Sequence, residues 1–97
     1  MLFRSANNPA LNDARNNLGI VLMATNRFEE ALTVFKESVD HEPHSAAAHY
    51  NLGTAMHETG KLVEAIASYE RAAALAPTDA TVWNNLGVAL KIGRAHV

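Results

Sequence analysis

Apolar residues return along this chain at the spacing of a helix. Between residues 12 and 24 they fall at Ala14, Leu18, Val21 and Leu22, which lie on one helical face. The stripe returns at Ala48, Leu52, Ala55 and Met56, and again at Val82, Leu86, Ala89 and Leu90. A second kind of stripe lies between: Phe28, Ala31, Leu32, Phe35 and Val39, then Leu62, Ala65, Ile66, Tyr69, Ala72 and Ala73. Strict alternation, the mark of a half-buried strand, does not occur. Thr25-Asn26 and Thr59-Gly60 break the pattern, and both Asn and Gly tolerate the left-handed backbone that ends a helix. Pro43 and Pro77 end the second stripes, because proline cannot continue a helix. Ser45 and Asp79 stand just beyond and are placed to cap the next helix. The pattern predicts helices near 12–25, 28–40, 46–59, 62–74 and 80–91, with room for a stub before Pro9.

The stripes belong to an internal repeat. Pro9, Pro43 and Pro77 are spaced by 34 residues, and so are Gly19, Gly53 and Gly87. Asn-Leu-Gly recurs at Asn17-Leu18-Gly19, Asn51-Leu52-Gly53 and Asn85-Leu86-Gly87. A period in this range means a solenoid or array. The three glycines lie mid-helix, where Gly costs about 1 kcal/mol against Ala. Close approach of a neighbouring helix backbone offsets that cost. Ala31 and Ala65 play the same small-residue part on the second helix, and Leu18, Leu52 and Leu86 are expected to fill the space between helices.

Composition narrows the chemistry. Apolar residues make up 48% and charged residues 19%, a globular balance, and the net charge is -2. That charge supplies no basic field for nucleic acid or an anionic membrane. The chain has no cysteine, which excludes a disulfide framework, a thiol nucleophile and a Cys-ligated zinc. It also fits a reducing compartment, so a cytoplasmic location is expected. No apolar run approaches the ~20 residues of a membrane span, and MLFRSANNP does not read as a signal peptide. His41, His44, His49, His57 and His96 show no metal-ligand spacing. Ser, His and acidic residues are scattered, without a nucleophile elbow or a phosphate loop. Glu29-Glu30 opens a helix, where carboxylates complement the dipole. No catalytic residue, cofactor or metal is expected.

These units resemble the tetratricopeptide repeat (TPR). The first-helix signature is a large residue, then Leu-Gly, then a large residue: Arg15/Leu18/Gly19/Leu22, His49/Leu52/Gly53/Met56 and Trp83/Leu86/Gly87/Leu90. The second-helix signature is small, aromatic, small, proline: Ala31/Phe35/Ser38/Pro43 and Ala65/Tyr69/Ala72/Pro77. Arg15 and His49 depart from the usual aromatic, which is expected to loosen packing there. Phe35, Tyr69 and Trp83 occupy core positions of the signature. The resemblance implies an all-α, right-handed α-solenoid of antiparallel helix pairs, here about two and a half repeats. Residues 12–45 form repeat 1, 46–79 repeat 2, and 80–91 the first helix of repeat 3. Residues 1–11 match the end of a preceding repeat poorly. Residues 92–97, IGRAHV, read either as a native helix end stopped at Gly93 or as one translated frame of a sequencing-library adapter. The second reading is preferred, making them a non-native tail. On the family pattern the chain is a fragment without polar caps. Trp83 and Leu90 should then pack incompletely, and the uncapped ends leave self-association open.

The resemblance also implies a binding surface. The first helices line the concave face of such arrays. Asn17, Asn51 and Asn85 adjoin the buried leucine positions yet are polar, so they should face the groove. An amide donates and accepts, so it can grip a peptide backbone without reading side chains. The competing reading is that these amides bond a neighbouring helix. Around them stand Asp13, Asn16, Ile20 and Met23; Ala47, Tyr50, Thr54 and His57; and Thr81, Asn84 and Val88. The cationic clamp that one branch of the family uses on C-terminal carboxylates is missing, since Asp13, Ala47, Thr81 and Asn85 hold its places. The expected function is a non-catalytic scaffold that binds an extended peptide or partner helix. The alternative is the substrate-presenting segment of a larger enzyme, such as a protein glycosyltransferase of the O-linked N-acetylglucosamine type. The expected partner is protein or peptide, with neither nucleic acid nor membrane.

Overall fold

The structure, a computed structural model, describes residues 9–95. Five helices follow one another: α1 (Pro9–Ala24), α2 (Phe28–His41), α3 (Ala46–Glu58), α4 (Leu62–Leu75) and α5 (Ala80–Ala95). Among the described residues there is no strand. Each helix packs on the next in sequence, and α1 also touches α3. The stub expected before Pro9 lies outside the described residues.

The turns repeat bond for bond. After α1, Asn26 takes φ 63°, and after α3, Gly60 takes φ 81°. Arg27 N–H donates to the Leu22 carbonyl at 2.8 Å, and Lys61 N–H to that of Met56 at 2.8 Å. Asn26 and Gly60 N–H reach Met23 and His57 at 3.1 Å each. This pair of bonds satisfies the last carbonyls of the helix, and the positive φ is why Asn and Gly stand there. Past the proline turns, Ser45 Oγ accepts from Ala48 N–H at 3.2 Å and Asp79 Oδ1 from Thr81 N–H at 3.0 Å. Both residues therefore cap as expected.

Two boundaries differ from the sequence pattern. α1 is already helical at Pro9, the first described residue, ahead of the expected residue 12. α5 runs through Gly93 to Ala95, so Gly93 does not stop it. A Cβ on Gly93 would lie 3.6 Å from Ile66 Cδ1 and 3.7 Å from Leu62 Cδ2. The last turns of α5 thus rest on the start of α4, and that contact outweighs the poor helix propensity of glycine.

The core is a chain of small seams. Leu22, Ala31, Leu32, Phe35, Leu52 and Ala55 form one; Ala65, Tyr69, Leu86 and Ala89 the next; Ala72, Ala73 and Val82 the third. The small–aromatic–small triplets Ala31/Phe35/Ser38 and Ala65/Tyr69/Ala72 are fully buried. The close approach expected at the three repeat glycines is found at two of them, where an aromatic ring rather than a helix backbone comes nearest; at Gly87 nothing outside its own helix lies within 4 Å. A Cβ on Gly19 would run into the Phe35 ring, and one on Gly53 would stand 2.9 Å from Tyr69 Cδ1 and Cε1.

One expectation fails at the first repeat. Ala48, Leu52 and Ala55 are buried, as are Val82, Leu86 and Ala89. Their counterparts Ala14, Leu18 and Val21 are exposed, Leu18 by 51%. Leu52 packs on Phe35 and Leu86 on Tyr69, each on the second helix of the preceding repeat. Among the described residues nothing precedes α1, so Leu18 fills no gap. Trp83, at a core position of the signature, packs incompletely as expected: it is 49% exposed, and no second helix follows α5 among the described residues. Leu90 is half-buried against the α4 seam.

Candidate functional site

The candidate surface is built by α1, α3 and α5, whose equivalent positions recur every 34 residues. α1 lies against α3. Asn85 joins α5 to α3 by donating through Nδ2 to Tyr50 Oη at 3.1 Å. Each helix therefore offers its own copy of the same rows.

The asparagine row is uneven. Asn17 is exposed, while Asn51 and Asn85 are half-buried. Asn85 Nδ2 donates both to Tyr50 Oη and to the Thr81 carbonyl at 2.9 Å. An amide nitrogen has two hydrogens, so both donors of Asn85 are engaged and its Oδ1 remains for a ligand. The amides of Asn17 and Asn51 make no comparable bond among the described residues. Asn16 Oδ1 accepts from the buried Ser38 Oγ at 2.7 Å, which turns Asn16 toward α2. Its counterpart Asn84 is exposed.

Tyr50 is the centre of the middle repeat. Its ring lies 5.8 Å from that of Tyr69, tilted by 46°. It also packs against the two seams that join α4 to α5. Tyr69 Oη donates to Thr54 Oγ1 at 3.2 Å, and Thr54 Oγ1 donates to the Tyr50 carbonyl at 3.1 Å. Burial pushes the Tyr69 phenol above its ordinary pKa, with the Thr54 hydrogen bond pulling weakly the other way. Thr54 is thus half-buried and already bonded, while Ile20 and Val88 in the same row are 51% and 47% exposed. His57 is half-buried in the last turn of α3. Asp13, Ala47 and Thr81 are exposed. The surface is amide-rich, partly apolar and nearly neutral. No group of three His or acidic residues among the described ones could hold a metal ion. No helix among them is long and apolar enough to cross a membrane.

Two features escaped the sequence reading. The first is a shared bond at the large-residue position. His49 Nε2 lies 2.8 Å from the Pro43 carbonyl oxygen, and Trp83 Nε1 donates to the Pro77 carbonyl at 2.8 Å. His49 keeps the tie to the turn that the tryptophan makes, so the expected loosening is partly offset. Arg15 instead donates to Asn12 Oδ1 at 2.9 Å. The second is a recess on the outer face of α5, lined by Trp83, Asn84, Gly87, Val88, Leu90 and Lys91. The spacing of Trp83 and Gly87, four apart on one helix, was the available signal.

Comparison with known proteins bears on the fold. No curated protein sequence matches the chain significantly. Of solved protein chains, 80 match. One is a point mutant of MamA, with a TM-score of 0.77 and 22% sequence identity, over 94% of this chain and 68% of that one. At that identity the likeness concerns the fold alone. The family model for the tetratricopeptide repeat matches residues 16–80, more than half of the chain. With its 34-residue period, paired helices and glycine–aromatic contacts, the chain belongs to the tetratricopeptide repeat family.

Proposed function

We propose that this chain is a non-catalytic protein-interaction scaffold that holds an extended peptide or a partner helix against α1, α3 and α5. Tetratricopeptide repeats generally mediate contacts between proteins. The observation that carries the finer reading is the row of amides at Asn17, Asn51 and Asn85, set beside the exposed apolar Ile20 and Val88. Asn17 and Asn51 offer donors and an acceptor to a peptide backbone. Asn85 offers its Oδ1 only, because its donors hold Tyr50 and Thr81. Tyr50, Thr54, His57, Asn16 and Asn84 flank the row and set its shape. The exposed Ile20 and Val88 supply apolar contact for side chains at either end.

The test uses peptides selected from a random displayed library against the 97-residue chain. Each amide contributes ~0.5–1.5 kcal/mol, so changing all three asparagines to Ala should weaken a selected peptide ~10- to 1000-fold. Folding should survive at Asn17 and Asn51, where Ala is the better helix former; Asn85→Ala also removes the bond to Tyr50, so the melt of that single variant is measured alongside. An unchanged affinity in a stably folded triple variant rules the amide row out. A triple variant that unfolds easily while its folded fraction binds normally assigns the amides to helix packing instead.

A further inference from the structure

The tie between α3 and α5 also fixes which hydrogen-bonding groups remain at their crossing. Asn85 Nδ2 lies 2.9 Å from the Thr81 carbonyl oxygen and 3.1 Å from Tyr50 Oη. A carbonyl only accepts, so the nitrogen of the amide must face Thr81, and both its hydrogens are engaged. Tyr50 Oη is therefore an acceptor here, and the phenol keeps its own hydrogen for another group. No group among the described residues takes that hydrogen or donates to Asn85 Oδ1. Where α3 meets α5, one donor and one acceptor thus stand together. The Tyr50 ring is held in place by Tyr69 and by the seams that join α4 to α5.

Such a pair suits the N–H and C=O of a main chain, and the repeat spacing selects its conformation. The interior of a helix has already bonded both groups to itself. A strand and a polyproline II segment leave them free but differ in period. Helices in contact lie about 8–10 Å apart, and the asparagine recurs at each of α1, α3 and α5. A strand presents the same face every second residue, about 6.6 Å, or every fourth, about 13 Å. Polyproline II has three residues per turn and advances about 9.3 Å in that turn. Only the second period brings like backbone groups to successive helices. We infer that the partner is a polyproline II segment that meets Asn51 with one residue and the Asn85–Tyr50 pair three residues on. There its N–H donates to Asn85 Oδ1 and its carbonyl accepts from Tyr50 Oη. The residues between carry no main-chain bond, so proline is allowed there and barred at the gripped positions, which need their N–H. This rests on the asparagine row as the binding surface.

The test is an N-methyl scan of a peptide selected against the full 97-residue chain, with Kd read by fluorescence anisotropy. N-methylation removes one main-chain N–H and keeps the side chain. Losses of ~2- to 10-fold should fall on every third residue. Proline at the residues between should hold or tighten binding, because it presets the bound conformation. Tyr50→Phe should weaken the peptide ~2- to 10-fold with the same period. The ring stays in that variant, so folding survives, which a thermal melt verifies. Losses at alternate residues assign the peptide to a strand, and intolerance of proline throughout assigns it to a helix. Either result overturns the inference while binding still depends on the asparagines. An unchanged affinity in folded Tyr50→Phe overturns it too. An affinity that survives the change of all three asparagines to Ala removes the surface itself, and the inference falls with it.

Discussion

Adding one methyl group at each repeat glycine separates two opposing effects that the structure assigns to different positions. Every Gly→Ala change here gains about 1 kcal/mol of helix propensity. At Gly53 the new Cβ would stand 2.9 Å from two ring carbons of Tyr69 and 3.3 Å from the Ala65 carbonyl oxygen. The ring is 1% exposed and has nowhere to retreat. Overpacking of this kind costs ~1–3 kcal/mol, so Gly53→Ala should lose ~0–2 kcal/mol net. At Gly87 the space is empty, and the propensity gain stands alone. The gap between the two variants therefore isolates overpacking at ~1–3 kcal/mol, or roughly 4–24 °C in Tm for a domain of this size. Gly19→Ala should fall with Gly53→Ala, because its methyl would meet the Phe35 ring. Thermal melts followed by far-UV circular dichroism at about 5 µM keep association out of the comparison. Equal Tm shifts for Gly53→Ala and Gly87→Ala would refute the close-approach argument, since propensity alone would then explain both.

Two further outcomes follow from burial. Leu52→Ala should cost ~2–5 kcal/mol as a core truncation, whereas Leu18→Ala, at the exposed counterpart, should stay within ~0.5 kcal/mol; chemical denaturation of both variants checks the contrast. Burial raises the Tyr69 pKa above its ordinary value, so folding favours the protonated phenol. That stability is intact below about pH 10 and should drain away as pH rises through the folded-state value. Melts from pH 8 to 11 should fall less steeply at the alkaline end in Tyr69→Phe.

The architecture was legible because each cause of it is local. Thr-Asn and Thr-Gly ends, proline turns with Ser45 and Asp79 caps, and two interlocked apolar stripes all act within one turn of helix. The period then gave the order in which the pieces stack. What the pattern could not show was which copy of a stripe finds a partner. Ala14, Leu18 and Val21 read like Ala48, Leu52 and Ala55, yet they differ in exposure because burial depends on a neighbouring helix, not on the stripe. The α5 boundary was hidden for the same reason. Glycine propensity argues for a stop at Gly93, and contact with Ile66 and Leu62 overrules it. Within the candidate site, the asparagine row was visible as letters. That Asn85 spends both donors on Tyr50 and Thr81, and that Asn16 turns to Ser38, depends on distances across helices.

The division of the core into seams between neighbouring helices has a kinetic consequence. Leu52 meets Phe35, Leu86 meets Tyr69, and even the Asn85–Tyr50 bond spans only 35 residues of chain. No native contact of this kind requires a long loop to close before it is rewarded. Loop-closure entropy is therefore met in small instalments, and the transition state can assemble from any adjacent pair. Helical proteins of such low contact order fold on the microsecond-to-millisecond scale. A substitution in one seam should slow or speed the docking of its own helices and leave the rate of the others nearly untouched.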